Sequence, residues 1–364
     1  MSKLKKAIIS PHLFIRDFLN KRFPIKYSEL KYSLERIYTT REAFAEVEEL
    51  DCKIGNITDI DVVFTWVDNS DPSWMIKFNK YSKENSEKLS IGATNPARYE
   101  SHEELYYSVK SVLEKLPWVR TIYIVTDEQV PKWLPDLSET SKKKIKIVDH
   151  KDIIKKDYLP TFNSHVIEAN IFKISGLSEN FIYFNDDVFV GRQHPKSHFF
   201  KSNGLASIFI SNKTYSVISS KRQTATTLAT KNSTNLLKRQ YGITPDLSIQ
   251  HTYIPLKKEF FQLAEKIFEK EIKNFQRNKF RSKDDINVGT ALVPWMMYLE
   301  GKAQFSRDIC FYFNCRSNDG KAQMKFLLNQ KENGFTPDSI CANDFIKERE
   351  DDLFYFKEFL EQYF

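Results

Sequence analysis

The chain has 364 residues, 41% hydrophobic and 14% aromatic, with only 10 glycines and 13 prolines. That excludes a low-complexity or collagen-like polymer and allows one large core, or one core with a small satellite. The formal charge of +7 suits an anionic ligand or a membrane surface, and equally an ordinary solvated basic face.

Residues 1–26 hold seven Lys/Arg and one acidic residue, interleaved with Ile, Leu and Phe. Their apolar stretch is short and broken by Pro11, so it predicts neither a secretory signal nor a spanning helix. It suits peripheral contact with an anionic bilayer, or a plain helix with a charged outer face. Residues 1–57 are expected as a separate basic and helical segment. The rest, 58–364, is expected as a Rossmann-like part over 58–210 and a more helical part over 211–364.

From Ile60 the pattern changes. IDVVFTWV (60–67) predicts a buried strand, ended by the turn Asp68-Asn69-Ser70-Asp71-Pro72. Ser101-His102-Glu103-Glu104 reads as a capping box opening a helix, with Leu105, Val109, Val112, Leu113 and Leu116 on its apolar stripe. TIYIVTD (121–127) and KIKIVDH (144–150) are further strands. A loop at 159–164 feeds a helix with Ser164 as its cap, and FIYFNDDVFV (181–190) follows as a strand. Helices are predicted over 257–275, 284–300 and 350–363. This alternation predicts an α/β chain with a Rossmann-like layer. Ligands of such sheets bind at the carboxyl ends of strands, where Asp68, Asp127, Asp186 and Asp187 fall.

The four cysteines (Cys52, Cys310, Cys315 and Cys341) contain no CxxC pair. A zinc ribbon or thioredoxin motif is therefore unsupported, and sparse cysteine fits a reducing cytoplasm. Asn185-Asp186-Asp187 is the more pointed signal, because two adjacent carboxylates in an apolar run are costly to bury without a cation. A divalent metal holding a phosphorylated substrate answers that need. The triplet resembles the acidic metal site of nucleotide-sugar transferases.

Longer segments carry a second resemblance. DIDVVFTWVDNSDP (59–72) is similar to the first conserved block of the Stealth family, which includes bacterial capsule polymerases and the animal GlcNAc-1-phosphotransferase. The second block covers RYESHEEL (98–105), PWVRTIYIVTDEQVPKWL (117–134) and LPTFNSHVIEANIFKISGLSENFIYFNDDVF (159–189). His251-Thr252 with NKFRSKDDIN (278–287) resembles the third, and SICAND (339–344) the fourth. PHLFIRDF (11–18) resembles the start of the capsule polymerases. Asn69 stands where the family often has Gly, and Ala342 and Phe345 depart from its last block.

The resemblance implies a GT-A-like nucleotide-sugar-binding core with additional helices. It also implies transfer of a hexose-1-phosphate, expected to be an N-acetylhexosamine-1-phosphate, from a UDP-sugar to a hydroxyl of a growing polyanionic glycan. UMP would leave and a phosphodiester would form. Asp186, Asp187 and Asp344 would hold Mg²⁺ or Mn²⁺, Arg281 would offset charge on the transferred phosphoryl group, and His251 or His165 would be the base. Thr65, Trp66, Val67 and Asp68 would meet uridine and ribose, Arg98 a phosphate, and Asn163, Ser164 and Glu168 the donor sugar or acceptor.

Plainer readings stand beside these. His251 fits a surface loop, His165 a structural histidine, Arg281 a pair with Asp284 or Asp285, Glu168 a pair with Lys173, Trp66 the core and Arg98 a helix cap. Other functions are a metal-dependent glycosyltransferase releasing UDP, or a non-catalytic binder of anions or nucleic acid. No nucleic-acid motif supports the last, and none is expected as a partner. A cytoplasmic chain, peripheral on the inner membrane face and able to self-associate, completes the expectation.

Overall fold

The computed structural model describes residues 34–55, 57–84, 99–214, 224–344 and 352–364, with isolated positions 11, 15 and 18. Apart from those three positions, the basic segment 1–26 lies outside the described residues, as does Arg98. Among the described residues no helix is long and apolar enough to cross a membrane.

In chain order the helices used below are α1 (Leu34–Ile54), α2 (Pro72–Glu84), α3 (Glu104–Lys115), α4 (Ser164–Glu168), α5 (Lys196–Phe199), α6 (Ala225–Tyr241), α7 (Lys258–Ile267), α8 (Glu269–Phe275), α9 (Val293–Leu299) and α10 (Asn318–Glu332). The central sheet runs in the order β3 (Ile145–Asp149), β2 (Ile122–Thr126), β1 (Ile60–Thr65), β4 (Asn180–Asn185), β8 (Ile254–Lys257). Its first four strands are parallel and β8 is antiparallel to β4. Ile60, Val62, Val63 and Phe64 are fully buried, as are Ile122, Ile124 and Val125, because a parallel sheet covered on both faces demands continuous apolar strands. The expected Rossmann-like α/β core with extra helices is what the chain forms.

Two smaller sheets complete it. One pairs β10 (Cys310–Asn314) with β11 (Ser339–Asn343) and β5 (Val188–Val190); the other pairs β7 (Leu247–Ile249), β6 (Ala206–Thr214) and β9 (Ala303–Ser306). The run 181–190 is thus two strands rather than one. β4 ends at Asn185, and β5 belongs to a different sheet. Asp186-Asp187 is the corner between them.

Local expectations shifted in four places. Ser101 does not cap α3: the N-cap is Glu103 at φ 70°, and the Glu104 carboxylate accepts the His102 amide at 2.5 Å. Asn163, not Ser164, caps α4, its side chain accepting from the His165 amide. The run 257–275 breaks into α7 and α8 at Phe268. Only α9 and a preceding π turn (Val288–Leu292) form within 284–300.

The segment 1–57 reaches the core through α1. Arg41 donates to the Thr336 carbonyl at 2.6 Å, and Asp51 accepts from the amide and hydroxyl of Ser202 at 2.9 and 2.6 Å. Glu48 meets His198 of α5 at 3.0 Å.

Candidate active site

Register places the site. Thr65 of β1 pairs with Asn185 of β4 and Val125 of β2, so the carboxyl ends of three strands share one edge. Asp186 and Asp187 stand there, half-buried. β11 runs antiparallel to β5, and the Ala342 amide donates to the Asp187 carbonyl at 3.0 Å. That contact carries Asn343 and Asp344 to the acidic corner. Asp127 lies at the same edge but is ion-paired to Lys77 at 2.8 Å.

Burial holds the Asp186 and Asp187 carboxyls above the usual range; the charge of Asp187 adds to this at Asp186, and that of Asp344 at Asp187. Asp187 Oδ1 is buried without a hydrogen-bond partner. Glu104 is pushed up to about 8 by burial and by Asp186. Such a group of hard oxygens short of positive charge fits Mg²⁺ or Mn²⁺.

Asp344 has a cation of its own. Arg316 meets it in a two-pronged contact, Nε to Oδ1 at 2.6 Å and Nη2 to Oδ2 at 2.7 Å, and also donates to Glu100 at 3.0 Å. His102 lies 3.5 Å from Asp344, and Glu100, His102 and Asp344 form a compact potential ligand group. Burial opposes a charge on His102, but Asp344 and Glu104 outweigh it and raise its pKa. Glu100, His102, Glu104 and Arg316 escaped the sequence reading. The first three sit inside a quoted motif but look like helix-capping residues there, and nothing around Arg316 marks it.

A second group forms around Arg281. Its guanidinium donates to Ser164 Oγ at 2.7 Å and Thr226 Oγ1 at 2.8 Å, not to Asp284 or Asp285. Its loop is fixed from below: Phe162 and Phe280 stack at 5.1 Å beside Trp74, and Asn163 donates to the Phe280 carbonyl at 3.2 Å. Asp285 takes Asn163 at 2.9 Å, Asn278 at 2.9 Å and His165 Nδ1 at 3.0 Å. His165 is 2% exposed, so its place is within this scaffold. Glu168 is buried and raised to about 7, burial outweighing the attraction of Arg281. Lys173, the partner expected for it, pairs with Glu265 at 2.6 Å instead.

Tyr183 links the two groups. Its hydroxyl bonds Thr65 Oγ1 and Asn185 Oδ1, each at 2.8 Å. Glu168, Asp186 and Arg281 all act on its ionisation. Trp66 is 8% exposed within the main core, its indole N–H 3.3 Å from Ser101 Oγ. Val67 packs on the Trp74–Phe162 aromatic cluster. Asp68 shapes the turn, accepting the Ser70 amide at 2.8 Å while Gln129 brackets its backbone.

His251 closes the site. It is exposed, and the Cys341 thiol sits between it and the acidic corner, 3.8 Å from His251 Nδ1 and 3.7 Å from Asp187 Oδ2. Asn343 lies 3.5 Å from its Nε2. His251 and Asp187, 90 and 154 positions from Cys341 in sequence, therefore face one space at the end of β4.

Family models for conserved regions 1 and 2 of the Stealth proteins match residues 58–86 and 98–208. A capsular polysaccharide phosphotransferase of Actinobacillus suis is 49% identical over 345 residues, 94% of this chain and 92% of that protein. The capsular polysaccharide phosphotransferase fcs1 of Haemophilus influenzae is 50% identical over 352 residues, 94% of each chain. One from Neisseria meningitidis serogroup B is 43% identical over 376 aligned positions, covering 100% of this chain and 98% of that one. Among solved structures, the galactosyltransferase LgtC is similar at 11% identity and a TM-score of 0.42, over 83% of this chain and 95% of that one; at that level the likeness bears on neither site nor substrate. The chain belongs to the Stealth family. It is an enzyme, a transferase of phosphorus-containing groups.

Proposed function

We propose that the protein transfers a hexose-1-phosphate, an N-acetylhexosamine-1-phosphate, from a UDP-sugar to a hydroxyl of a growing capsular glycan. The observation that supports this best is the juxtaposition of His251 with the acidic corner through Cys341. A general base beside a cation-seeking pair is what in-line phosphoryl transfer needs.

The acceptor oxygen bonds to the phosphorus that bears the sugar. The bond from that phosphorus to the bridging oxygen breaks, and UMP leaves with the electron pair. His251 takes the hydroxyl proton; its ring is exposed, whereas His165 Nδ1 is committed to Asp285. Arg281, aimed by Ser164 and Thr226, meets the charge that grows on the phosphoryl oxygens. Asp186, Asp187 and Asp344 would hold Mg²⁺ or Mn²⁺, which supplies charge neutralisation to the pyrophosphate. Asp344 would share itself between Arg316 and that ion. Thr65, Trp66, Val67 and Asp68 serve uridine and ribose, with Arg98 a phosphate contact. Ser164 borders the sugar with Glu168 behind it, while Asn163, buried and bonded to Asp285 and the Phe280 carbonyl, holds the loop beneath rather than meeting the ligand. The setting is the cytoplasmic face of the membrane, with residues 1–26 as a peripheral contact.

Incubation with a panel of UDP-sugars, Mg²⁺ and a short acceptor should release UMP and extend the acceptor by sugar plus phosphate. Release of UDP, with a product lacking phosphate, would show a glycosyltransferase instead. Two variants test the roles. His251→Gln should lose about 10²–10⁴-fold in turnover and the acidic limb of the pH–rate profile. Arg281→Lys keeps the charge but loses the fork, and should cost about 10²-fold in kcat with little change in KM for the donor. An Arg281→Lys enzyme at wild-type rate would remove Arg281 from the reaction.

A further inference from the structure

A groove leads away from His251. A small cavity of about 140 Å³ is lined by His251, Gln250, Cys310 and Tyr312. Gln250 and Cys310 also line a larger cavity of about 550 Å³, whose other walls include Phe44, Lys201, Phe305 and Arg307. The two share these wall residues, and the larger is within the size range of small-molecule sites. It lies between α1 and the edge strand β9.

The chemistry of the walls is selective. Three carboxylates line the larger cavity, Glu48, Asp51 and Asp308, and each has a hydrogen-bond partner. Glu48 faces His198 at 3.0 Å, Asp51 takes Ser202 at 2.6 Å, and Asp308 accepts from Ser339 at 2.5 Å. Lys201 donates to the Ser197 carbonyl at 2.6 Å. Arg307 is exposed, its guanidinium 6.0 Å from the Phe44 ring centre. Phe305 is 45% exposed and Phe44 46%, and Phe305 stacks on the 37% exposed Tyr298 at 4.3 Å. Exposed aromatic rings beside an exposed guanidinium match sugar faces joined by phosphodiesters.

We propose that this groove is an extended acceptor subsite, which holds the repeats behind the reacting hydroxyl of a sugar-phosphate chain. Phe305 and Phe44 pack against sugar rings, and Arg307 pairs with a phosphodiester one or more repeats from the chain end. The proposal takes the acceptor's chemistry from the phosphotransferase reading; its position rests on Gln250 and Cys310, the wall residues that the two cavities share. It gives α1 a role, since Phe44 supplies one wall. A chain held in this way stays bound between additions, which favours long products.

The test is equilibrium binding to the full chain, without nucleotide. The probes are a synthetic four-repeat N-acetylhexosamine-1-phosphate oligomer and its one-repeat counterpart. The wild type should bind the longer probe at least about tenfold tighter, an advantage that shrinks as salt rises. Arg307→Glu and Phe305→Ala should erase the advantage, while Lys151→Glu, an exposed charge reversal just after the edge strand β3 and outside the lining of either cavity, should keep it. Arg307 is exposed, so its variant reads binding even if Phe305→Ala misfolds. Equal affinities in the wild type, or an advantage that survives Arg307→Glu, would overturn the subsite. Nucleotide release is scored separately: UDP release with an intact length advantage leaves the groove standing and removes the phosphotransfer reading.

Discussion

Asp187→Asn is expected to abolish transfer and, at the same time, to raise Tm. Asp186 and Asp187 are packed at the corner between two sheets with Glu104 and Asp344 close enough to raise their pKa or feel their field. Without a bound cation the cluster repels itself, and Asp187 Oδ1 is buried with no partner. The neutral amide removes one charge from that group and should stabilise the metal-free protein by about 1 kcal/mol or more. On the proposed mechanism the same change would remove one of the oxygens that would hold a divalent ion, a loss of several kcal/mol in the transition state, or roughly 10³-fold in rate. Thermal melts with and without Mg²⁺ separate the two effects. Mg²⁺ at about 100 times its Kd should stabilise the wild type by about 2.7 kcal/mol and leave the variant nearly unmoved. Wild-type UMP release from Asp187→Asn would end the metal assignment. A fall in Tm would show that the corner is a structural element rather than a strained functional one.

The second large effect lies far from the chemistry. Glu48→Ala should destabilise the protein by about 3–5 kcal/mol, because it strips one carboxylate from a buried imidazole. His198 has Glu48 Oε1 3.0 Å from Nδ1 and Asp308 Oδ2 3.4 Å from Nε2, and Tyr253 3.2 Å away, with the His194 ring stacked at 4.0 Å. Burial opposes the charge, but the two carboxylates raise the His198 pKa from 6.5 to about 9. A folded pKa above the unfolded one means that the native state holds the proton more tightly. The stabilisation is complete below about pH 6.5 and is lost as pH rises through about 9. The shift corresponds to roughly 3 kcal/mol across that window. Urea melts at pH 6 and pH 9.5 should show the loss in the wild type and a much smaller one in Glu48→Ala. A wild-type stability flat across that range would mean that His198 is neutral. The network also reaches the segment before β8: Asp308 accepts from Ser339, and Ser339 from Thr252, the neighbour of His251. The docking of α1 and the placement of His251 therefore share one set of bonds.

Much of the site was legible because its signals are local. A buried parallel strand must be apolar throughout, so IDVVFT and TIYIVT announce themselves. Two carboxylates inside such a run conflict with their surroundings, and that conflict marked Asp186 and Asp187. The polar segment around Arg281 carried no such contrast, and only the family resemblance singled it out. The aromatic cluster that aims it joins Trp74, Phe162 and Phe280, three separate stretches of chain. Cap residues were misjudged at both helices near the site. Ser101 and Ser164 are ideal caps in isolation, yet the one sits 3.3 Å from the Trp66 indole and the other accepts from Arg281. Tertiary partners outbid the local preference.

By itself, then, the sequence determined the α/β class, four of the five core strands, the acidic pair and the resemblance to one family, since each is written in contiguous residues. Only the tertiary structure decided that the strand through Asp186-Asp187 breaks and changes sheet there. It also decided that Cys341 stands between His251 and Asp187, and that Arg316 is the standing partner of Asp344. These depend on which strands pair and in what register. β11 meets β5 across some 150 residues of chain, and no local pattern of hydrophobicity encodes a pairing at that distance.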